Sequence, residues 1–127
     1  MADDSHRAKI LVVEDDPDTR DILVELFAAH GYEVTAVSTA EDGLATLQHR
    51  ATDVVVSDNQ LEGGQSGSWM LRRAFEQGLL ERVGAVMYTA DSAPHVPRTV
   101  RVLRKPTALR EIELTAKRAV DSARARR

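Results

Sequence analysis

The stretch that decides the fold runs from residue 54 to residue 67 and reads VVVSDNQLEGGQSG. Its three valines follow one another without alternation, which is typical of a strand buried on both faces of a parallel sheet. Asp58 closes this run, and a glycine-rich loop at residues 63–67 follows it. Open parallel sheets bind ligands at the carboxyl ends of their strands, so Asp58 lies where a binding site is expected.

Three further apolar runs end in polar side chains. They are Ile10–Val13, which ends in Glu14, Asp15 and Asp16; Val83–Tyr88, which ends in Thr89; and Thr99–Leu103, which ends near Lys105 and Pro106. If all four runs are strands of one parallel sheet, their carboxyl ends meet on one edge. That edge then carries a carboxylate cluster, a hydroxyl group and an ammonium group.

Strand patterns that alternate with helix patterns predict a parallel α/β sheet with right-handed crossovers. The predicted strands are Lys9–Val13, Glu33–Val37, Asp53–Ser57, Val83–Tyr88 and Thr99–Leu103. Helices are predicted from Asp16-Pro17-Asp18 to Gly31, from a capping box of Ser38 and Glu41 to about Arg50, after the serines at 66 and 68, and from about Thr107 into the 120s. Residues 91–98 are predicted to form a loop, because Pro94 and Pro97 disfavour a helix there.

The composition indicates one globular domain. The chain has 127 residues, a net charge of −3 and no cysteine. We expect a single domain over residues 1–127, with residues 1–8 as a flexible lead and no output domain. The negative charge disfavours direct contact with nucleic acid, and no apolar run is long enough for a membrane span. The lack of cysteine and of a visible signal peptide favours the cytoplasm.

The acids at the predicted strand ends suit a small divalent cation. Glu14, Asp15 and Asp58 would repel one another at close range, and Mg²⁺ is bound by one or two carboxylates together with other oxygen ligands. The ammonium group of Lys105 and the hydroxyl group of Thr89 offer donors for phosphate oxygens. Asp58 is the carboxylate best placed to act as a nucleophile and form an acyl phosphate.

The sequence resembles the receiver domain of two-component response regulators over nearly its whole length. The segments that carry this resemblance are Ile10–Asp16, Val54–Asp58, Tyr88-Thr89-Ala90 and Lys105-Pro106. The resemblance implies a flavodoxin-like fold, a doubly wound five-stranded parallel sheet of order 2-1-3-4-5, here with the fourth helix replaced by a loop. It also implies a signalling domain rather than an enzyme, one that catalyses only its own phosphoryl transfer and dephosphorylation.

The resemblance further implies a role for each site residue. Asp58 would accept a phosphoryl group from the phosphohistidine of a sensor histidine kinase or a histidine phosphotransfer protein. Mg²⁺, or Mn²⁺, would be bound by Asp15, Asp58 and the backbone carbonyl of Gln60, with Glu14 helping through water. Thr89 and Lys105 would bind the phosphoryl oxygens.

The resemblance implies a further role for two polar residues, and the position of Asp58 implies a docking surface. Gln60 and Asp91 would flank the path of the water that hydrolyses the acyl phosphate. Because the phosphodonor must come within bonding distance of Asp58, a kinase would dock on the first helix and the loops around the acids, with Asp18, Thr19 and Ile22 as candidate contacts. The downstream protein partner stays unknown.

The sequence departs from the usual receiver pattern around the site. Glu62 occupies the position of a usual proline, and the usual glycine comes one residue late, at Gly67. Val102 stands where the family often has an aromatic switch residue. Because the fourth helix is not expected either, we predict an order–disorder switch in residues 91–98, linked to the phosphoryl group through Thr89.

Other functions stay open at this stage. A pseudo-receiver would bind partners without phosphorylation, which the four site residues Asp15, Asp58, Thr89 and Lys105 argue against. A hydrolase with an aspartyl nucleophile would commonly need a second acid at the position of Gln60. A flavin-binding role would rest on analogy of fold alone. The histidines at 6, 30, 49 and 95 lack the spacing of metal ligands and are interpreted as surface or helix-end residues.

Overall fold

A five-stranded parallel sheet of order β2-β1-β3-β4-β5 forms the centre of the computed structural model, which describes residues 7–126. The strands are β1 (Lys9–Val13), β2 (Glu33–Val37), β3 (Val54–Asp58), β4 (Gly84–Thr89) and β5 (Val100–Arg104). The helices within the described residues are α1 (Pro17–Ala29), α2 (Ala40–His49), α3 (Gly67–Glu76) and α4 (Leu109–Ala125). The predicted fold class and strand order are confirmed.

Helices cover both faces of the sheet because the side chains of each strand alternate between the faces. One face packs against α2 and α3 and includes Leu11, Val55 and Met87. The opposite face packs against α1 and α4 and includes Val12 and Val56. All residues of β3 and β4 are buried, as their continuous apolar sequences predict.

The ends of several elements differ from the sequence prediction by one residue. Thr39, not Ser38, caps α2, and its hydroxyl oxygen accepts a hydrogen bond from the backbone N–H of Asp42 at 3.0 Å. The prediction of Ser38 as the cap was therefore wrong, because a serine and a threonine stand side by side and only the backbone path selects between them. Strands β3, β4 and β5 each begin and end one residue later than predicted.

Three large apolar side chains on the helices lie outside the core. Ile22 is 48% exposed, Phe75 53% and Leu109 44%. Each helix therefore buries a narrower stripe than its apolar residues could fill. In α1, for example, the buried residues are Leu23 and Phe27, four positions apart.

The connection between β4 and β5 contains no helix among the described residues, as predicted. It contacts α3 and the core and bonds to the start of β5. Arg72 donates a hydrogen bond from its guanidinium group to the carbonyl oxygen of His95 at 2.8 Å, and Val96 packs against the core. The backbone N–H of Val100 bonds to the carbonyl oxygen of Pro97 at 3.1 Å, directly before β5.

The candidate lead, residues 1–8, lies mostly outside the described residues. The described part includes Ala8, whose carbonyl oxygen accepts a hydrogen bond from the backbone N–H of Glu33 at 2.9 Å. His30 and His49 are exposed at the ends of α1 and α2, and His95 is exposed in the β4–β5 connection. The interpretation of these three histidines as surface residues is confirmed, whereas His6 lies outside the described residues.

Candidate functional site

The register between β1 and β3 brings the acids together. Val13 pairs with Ser57, so the next residues of the two strands, Glu14 and Asp58, come side by side at the carboxyl edge of the sheet. The backbone of Glu14 is fixed on two sides. Its N–H donates to the carbonyl oxygen of Val37 at 3.1 Å, and its carbonyl oxygen accepts from the guanidinium group of Arg20 at 3.1 Å.

Three carboxylates form one cluster at this edge. Glu14, Asp15 and Asp58 each offer an oxygen atom, and these atoms lie within 4.8 Å of one another. Glu14 is 2% exposed and Asp58 is 5% exposed, so two of the three acids are buried. Hard oxygen donors at this separation, largely shielded from water, form an arrangement that can hold a small divalent cation.

Lys105 provides the positive charge next to the cluster. Its Nζ atom lies 2.9 Å from Oδ2 of Asp58, in an ion pair whose acid is buried and whose lysine side chain is 40% exposed. Lys105 reaches this position from the segment after β5, where the peptide bond to Pro106 is cis. Three carboxylates and one ammonium group leave two negative charges uncompensated, which matches the charge of a divalent cation.

Thr89 ends β4 and is fully buried. The β3–β4 register pairs its neighbour Tyr88 with Asp58, so Thr89 lies one residue beyond the acid along the strand. Its hydroxyl oxygen accepts a hydrogen bond from the backbone N–H of Asp91 at 3.0 Å. Since the oxygen is the acceptor in this bond, the hydroxyl proton is left for donation to another oxygen.

The loop after β3 contacts the acids through its backbone. The N–H of Gln60 lies 3.3 Å from Oδ1 of Asp58, and the N–H of Glu62 donates to Oδ2 of Asp15 at 2.9 Å. A proline at position 62 would lack this second donor, so the departure at Glu62 adds a bond to an acid of the cluster. Gln60 is exposed and lines the same depression as Asp15 and Asp58.

Gly67 is required by the close approach of α3 to the end of β3. A Cβ atom at this position would lie 2.2 Å from the carbonyl oxygen of Asp58, a distance that no side chain tolerates. The N–H of Gly67 instead donates to the carbonyl oxygen of Asn59 at 2.9 Å. Although this glycine comes one residue later than usual in the sequence, it still allows α3 to approach the end of β3 closely.

Burial controls the protonation of the two groups that meet deepest in the site. Burial raises the pKa of Glu14 above its usual range, an effect that hydrogen bonds from Tyr88 and Asp16 oppose and the charge of Asp58 adds to. Burial, with the hydrogen bond to Glu14, raises the pKa of Tyr88 well above its usual range. Tyr88 therefore stays protonated, and its hydroxyl group acts as the donor.

Two site residues escaped the sequence analysis. Tyr88 donates a hydrogen bond to Glu14, and Lys105 lies over its ring. The buried Asn59 bonds through its Nδ2 to Asp91 at 2.7 Å and through its Oδ1 to the N–H and the hydroxyl group of Ser68. Because alternate residues of a strand face the same side of the sheet, Tyr88 is expected on the face of Val86. Nothing in the sequence indicated the role of Asn59.

The fold and the acid cluster define the class of protein. Residues 10–117 match the family model described as the response regulator receiver domain. The chain therefore belongs to the response regulator receiver domain family. Receiver domains are phosphorylation-type signalling domains of two-component systems rather than enzymes in the usual sense, and the cluster of Glu14, Asp15 and Asp58 fits that class.

Individual relatives agree with this assignment. The Rrf1 protein of Nitratidesulfovibrio vulgaris is 39% identical over 67 residues, which are 50% of this chain and 49% of that protein. A receiver protein of Sinorhizobium medicae superposes with a TM-score of 0.83 at 21% identity, and a CheY-like receiver domain protein of Methanospirillum hungatei with 0.81 at 22%. Both superpositions cover 94% of this chain and 98% of the other, and at these identities they show the fold alone.

The chain spans about half or less of the length of the curated relatives that it matches. Among residues 7–126, no helix has both the length and the apolar character that crossing a membrane requires.

Proposed function

We propose that this protein is a signalling switch that accepts a phosphoryl group on Asp58 from a sensor histidine kinase or a histidine phosphotransfer protein, with Mg²⁺ as the cofactor. The observation that carries the proposal is the position of Asp58. It is a buried carboxylate 2.9 Å from the ammonium group of Lys105 and within 4.8 Å of the acids Glu14 and Asp15.

The chemistry requires a nucleophile and a place for the charge of the incoming group. A carboxylate oxygen of Asp58 forms a bond to phosphorus as the phosphorus–nitrogen bond to the donor imidazole breaks, and the nitrogen leaves with the electron pair. Lys105 already lies at Oδ2 of Asp58, so its ammonium group can follow the phosphoryl oxygens. The free proton of the Thr89 hydroxyl group serves another phosphoryl oxygen.

Asp15, Asp58 and the backbone carbonyl of Gln60 would hold Mg²⁺, with Glu14 acting through water. Mn²⁺ fits the same oxygen ligands. The ion would neutralise negative charge on the transferring group. Asp15→Asn should weaken metal binding by at least roughly tenfold, since even partners of metal ligands contribute that much. Asp16→Asn is the matched control, because asparagine keeps the N-cap of α1.

Dephosphorylation belongs to the same proposal. Gln60 and Asp91 would tune the attack of water on the acyl phosphate. Asn59 holds the Asp91 carboxylate by a hydrogen bond of 2.7 Å, which supports a fixed position for that group. Acyl-phosphate lifetimes of Gln60→Ala and Asp91→Ala test this role.

The cytoplasm is the compartment that we propose, which fits a chain without cysteine.

The experiment is intact-protein mass spectrometry after incubation with a small phosphodonor, with and without Mg²⁺. We expect one phosphoryl group per chain, dependent on the metal, and none in Asp58→Asn. Asp53→Asn is the matched control, because Asp53 lies just before the opposite end of the same strand and accepts a hydrogen bond from the N–H of Lys9 that asparagine can keep.

Phosphate gain that persists in Asp58→Asn would refute the assignment of the acceptor. No phosphate gain in the parent protein under any condition would favour the alternative, an interaction module that works without phosphorylation.

A further inference from the structure

The Tyr88 hydroxyl group bonds to an acid that is 74 residues away in the sequence. It donates to Oε1 of Glu14 at 2.5 Å, and both residues are buried, Tyr88 at 3% exposure and Glu14 at 2%. The other carboxylate oxygen of Glu14, Oε2, accepts from the backbone N–H of Asp16 at 3.0 Å. Each oxygen of this acid is therefore oriented by its own donor.

The Tyr88 ring is itself held in place. It belongs to the core between the sheet, α1 and α4, where Ile10, Val86 and Ile112 are also buried. The strand register places Tyr88 directly beside Asp58. The Nζ atom of Lys105 lies over the ring, 5.3 Å from its centroid, within the range of a cation–π contact. The Tyr88 side chain thus contacts both the acid cluster, through Glu14, and the ammonium group of Lys105.

This geometry has a consequence for Glu14. A buried carboxylate that loses a donor is left with an unsatisfied oxygen, and its orientation is then fixed by one bond instead of two. In metal sites, hydrogen bonds from surrounding residues commonly orient the side chains that bind the metal. The Tyr88 hydroxyl group is the donor that the structure places at Oε1 of Glu14.

We propose that Tyr88 is a positioning residue of the phosphoacceptor site, and that its hydroxyl group fixes the Glu14 carboxylate in the orientation that serves a divalent cation shared with Asp15 and Asp58. The inference rests on the proposed function, since it assumes that the cluster binds the ion. It concerns a residue that acts through Glu14 and not one that contacts the phosphoryl group.

The test compares the two tyrosines of the chain. Tyr88→Phe removes the hydroxyl group and keeps the ring, while Tyr32→Phe does the same to a half-buried tyrosine that packs edge-on against Phe27 on the same face. Metal affinity is measured by calorimetry with Mg²⁺ and by electron paramagnetic resonance with Mn²⁺. We expect roughly tenfold weaker binding for Tyr88→Phe and unchanged binding for Tyr32→Phe.

The Glu14→Gln background tests whether Tyr88 acts through Glu14. In that background we expect Tyr88→Phe to cause no further loss of metal affinity. An equal loss in both backgrounds would overturn the proposal, and so would a Tyr88→Phe protein that binds metal as tightly as the parent. If the parent itself binds no metal, the metal part of the proposed function fails first, which distinguishes the two failures.

A second measurement follows Tyr88 in the parent protein, where its hydroxyl group is retained. The parent protein is labelled with 3-fluorotyrosine and followed by ¹⁹F NMR during a Mg²⁺ titration. We expect the Tyr88 resonance to shift with the metal, the Tyr32 resonance to stay, and the Tyr88 shift to vanish in Glu14→Gln. A Tyr88 resonance that ignores the metal would overturn the proposal.

Discussion

Glu14 shows how one residue carries conflicting demands. Burial disfavours the charge of its carboxylate, and the neighbouring charge of Asp58 disfavours it further. Hydrogen bonds from the Tyr88 hydroxyl group and the backbone of Asp16 compensate in part. Because burying a charged group costs free energy, Glu14 lowers the stability of the metal-free domain. The same residue adds negative charge to the acid cluster.

This conflict predicts a pH dependence of stability. Because the pKa of Glu14 is raised above its ordinary value of 4.5, the folded protein holds the Glu14 proton more tightly than the unfolded chain does. The free energy of unfolding of the metal-free protein should therefore fall as the pH rises from about 4.5 through the raised pKa. Urea unfolding in the presence of a chelator, at a series of pH values, measures this fall.

The matched variants are Glu14→Gln, which should flatten that part of the profile, and Glu25→Gln on the exposed surface of α1, which should not. Mg²⁺ should reduce the fall in the parent, because it binds the charged form. An identical slope in the parent and in Glu14→Gln would contradict this account.

At the scale of the elements, the start of α2 gives a direct comparison of two neighbouring residues. The Thr39 side chain satisfies the backbone N–H of Asp42, whereas the capping-box pattern pointed to Ser38. Thr39→Ala should lower the free energy of unfolding by about 1 kcal/mol, and Ser38→Ala should change it by less than about half of that. Chemical denaturation of the two variants checks this, and a larger loss for Ser38→Ala would contradict the cap seen in the structure.

The β4–β5 connection is the second element with a testable behaviour. Asp91 is held by the Thr89 hydroxyl oxygen and by Asn59, so a movement of Thr89 toward a phosphoryl group would change the start of this segment. We predict that residues 91–98 are mobile without phosphate and become ordered with it. Backbone NMR relaxation with and without beryllofluoride measures this change.

Thr89→Ala is the control for that experiment, because it removes the link and should abolish the response. Equal mobility of residues 91–98 in both states of the parent would refute the prediction. The alternative outcome is a segment that is already ordered in the free protein. The hydrogen bond from Arg72 to His95 and the packing of Val96 against the core would be its cause.

At the scale of the whole molecule, the acid cluster opens beside α1, and a phosphodonor partner must cover that edge to reach Asp58. Ile22 is 48% exposed on α1 and offers an apolar contact next to Asp18 and Thr19. We predict that Ile22→Ala slows phosphoryl transfer from the kinase or phosphotransfer protein and leaves labelling by a small phosphodonor unchanged.

Phe75→Ala is the matched control, since Phe75 is exposed to a similar degree, 53%, but lies on α3. It should leave both reactions unchanged. Transfer kinetics with a purified phosphohistidine donor measure the difference. Equal loss of transfer and of small-donor labelling in Ile22→Ala would indicate damage to the fold instead of a docking contact.

The sequence by itself determined the parallel α/β architecture and the edge that carries the site. Continuous apolar runs such as Val54–Ser57 report burial on both faces, and the polar residues that follow them must meet where parallel strands end. Pro94 and Pro97 likewise excluded a helix before β5, because the loss of backbone donors is a local property. These features depend on neighbours in the chain, which a sequence displays directly.

Only the tertiary structure decided which side chains meet across the fold. The bond from Tyr88 to Glu14 spans 74 residues, and the bond from Asn59 to Asp91 spans 32. Exposure of Ile22 was also undetermined, because the width of a buried helix stripe depends on what packs against it. Such contacts depend on strand register and helix placement together. A local sequence pattern does not determine the relative orientation of side chains that are distant in the chain.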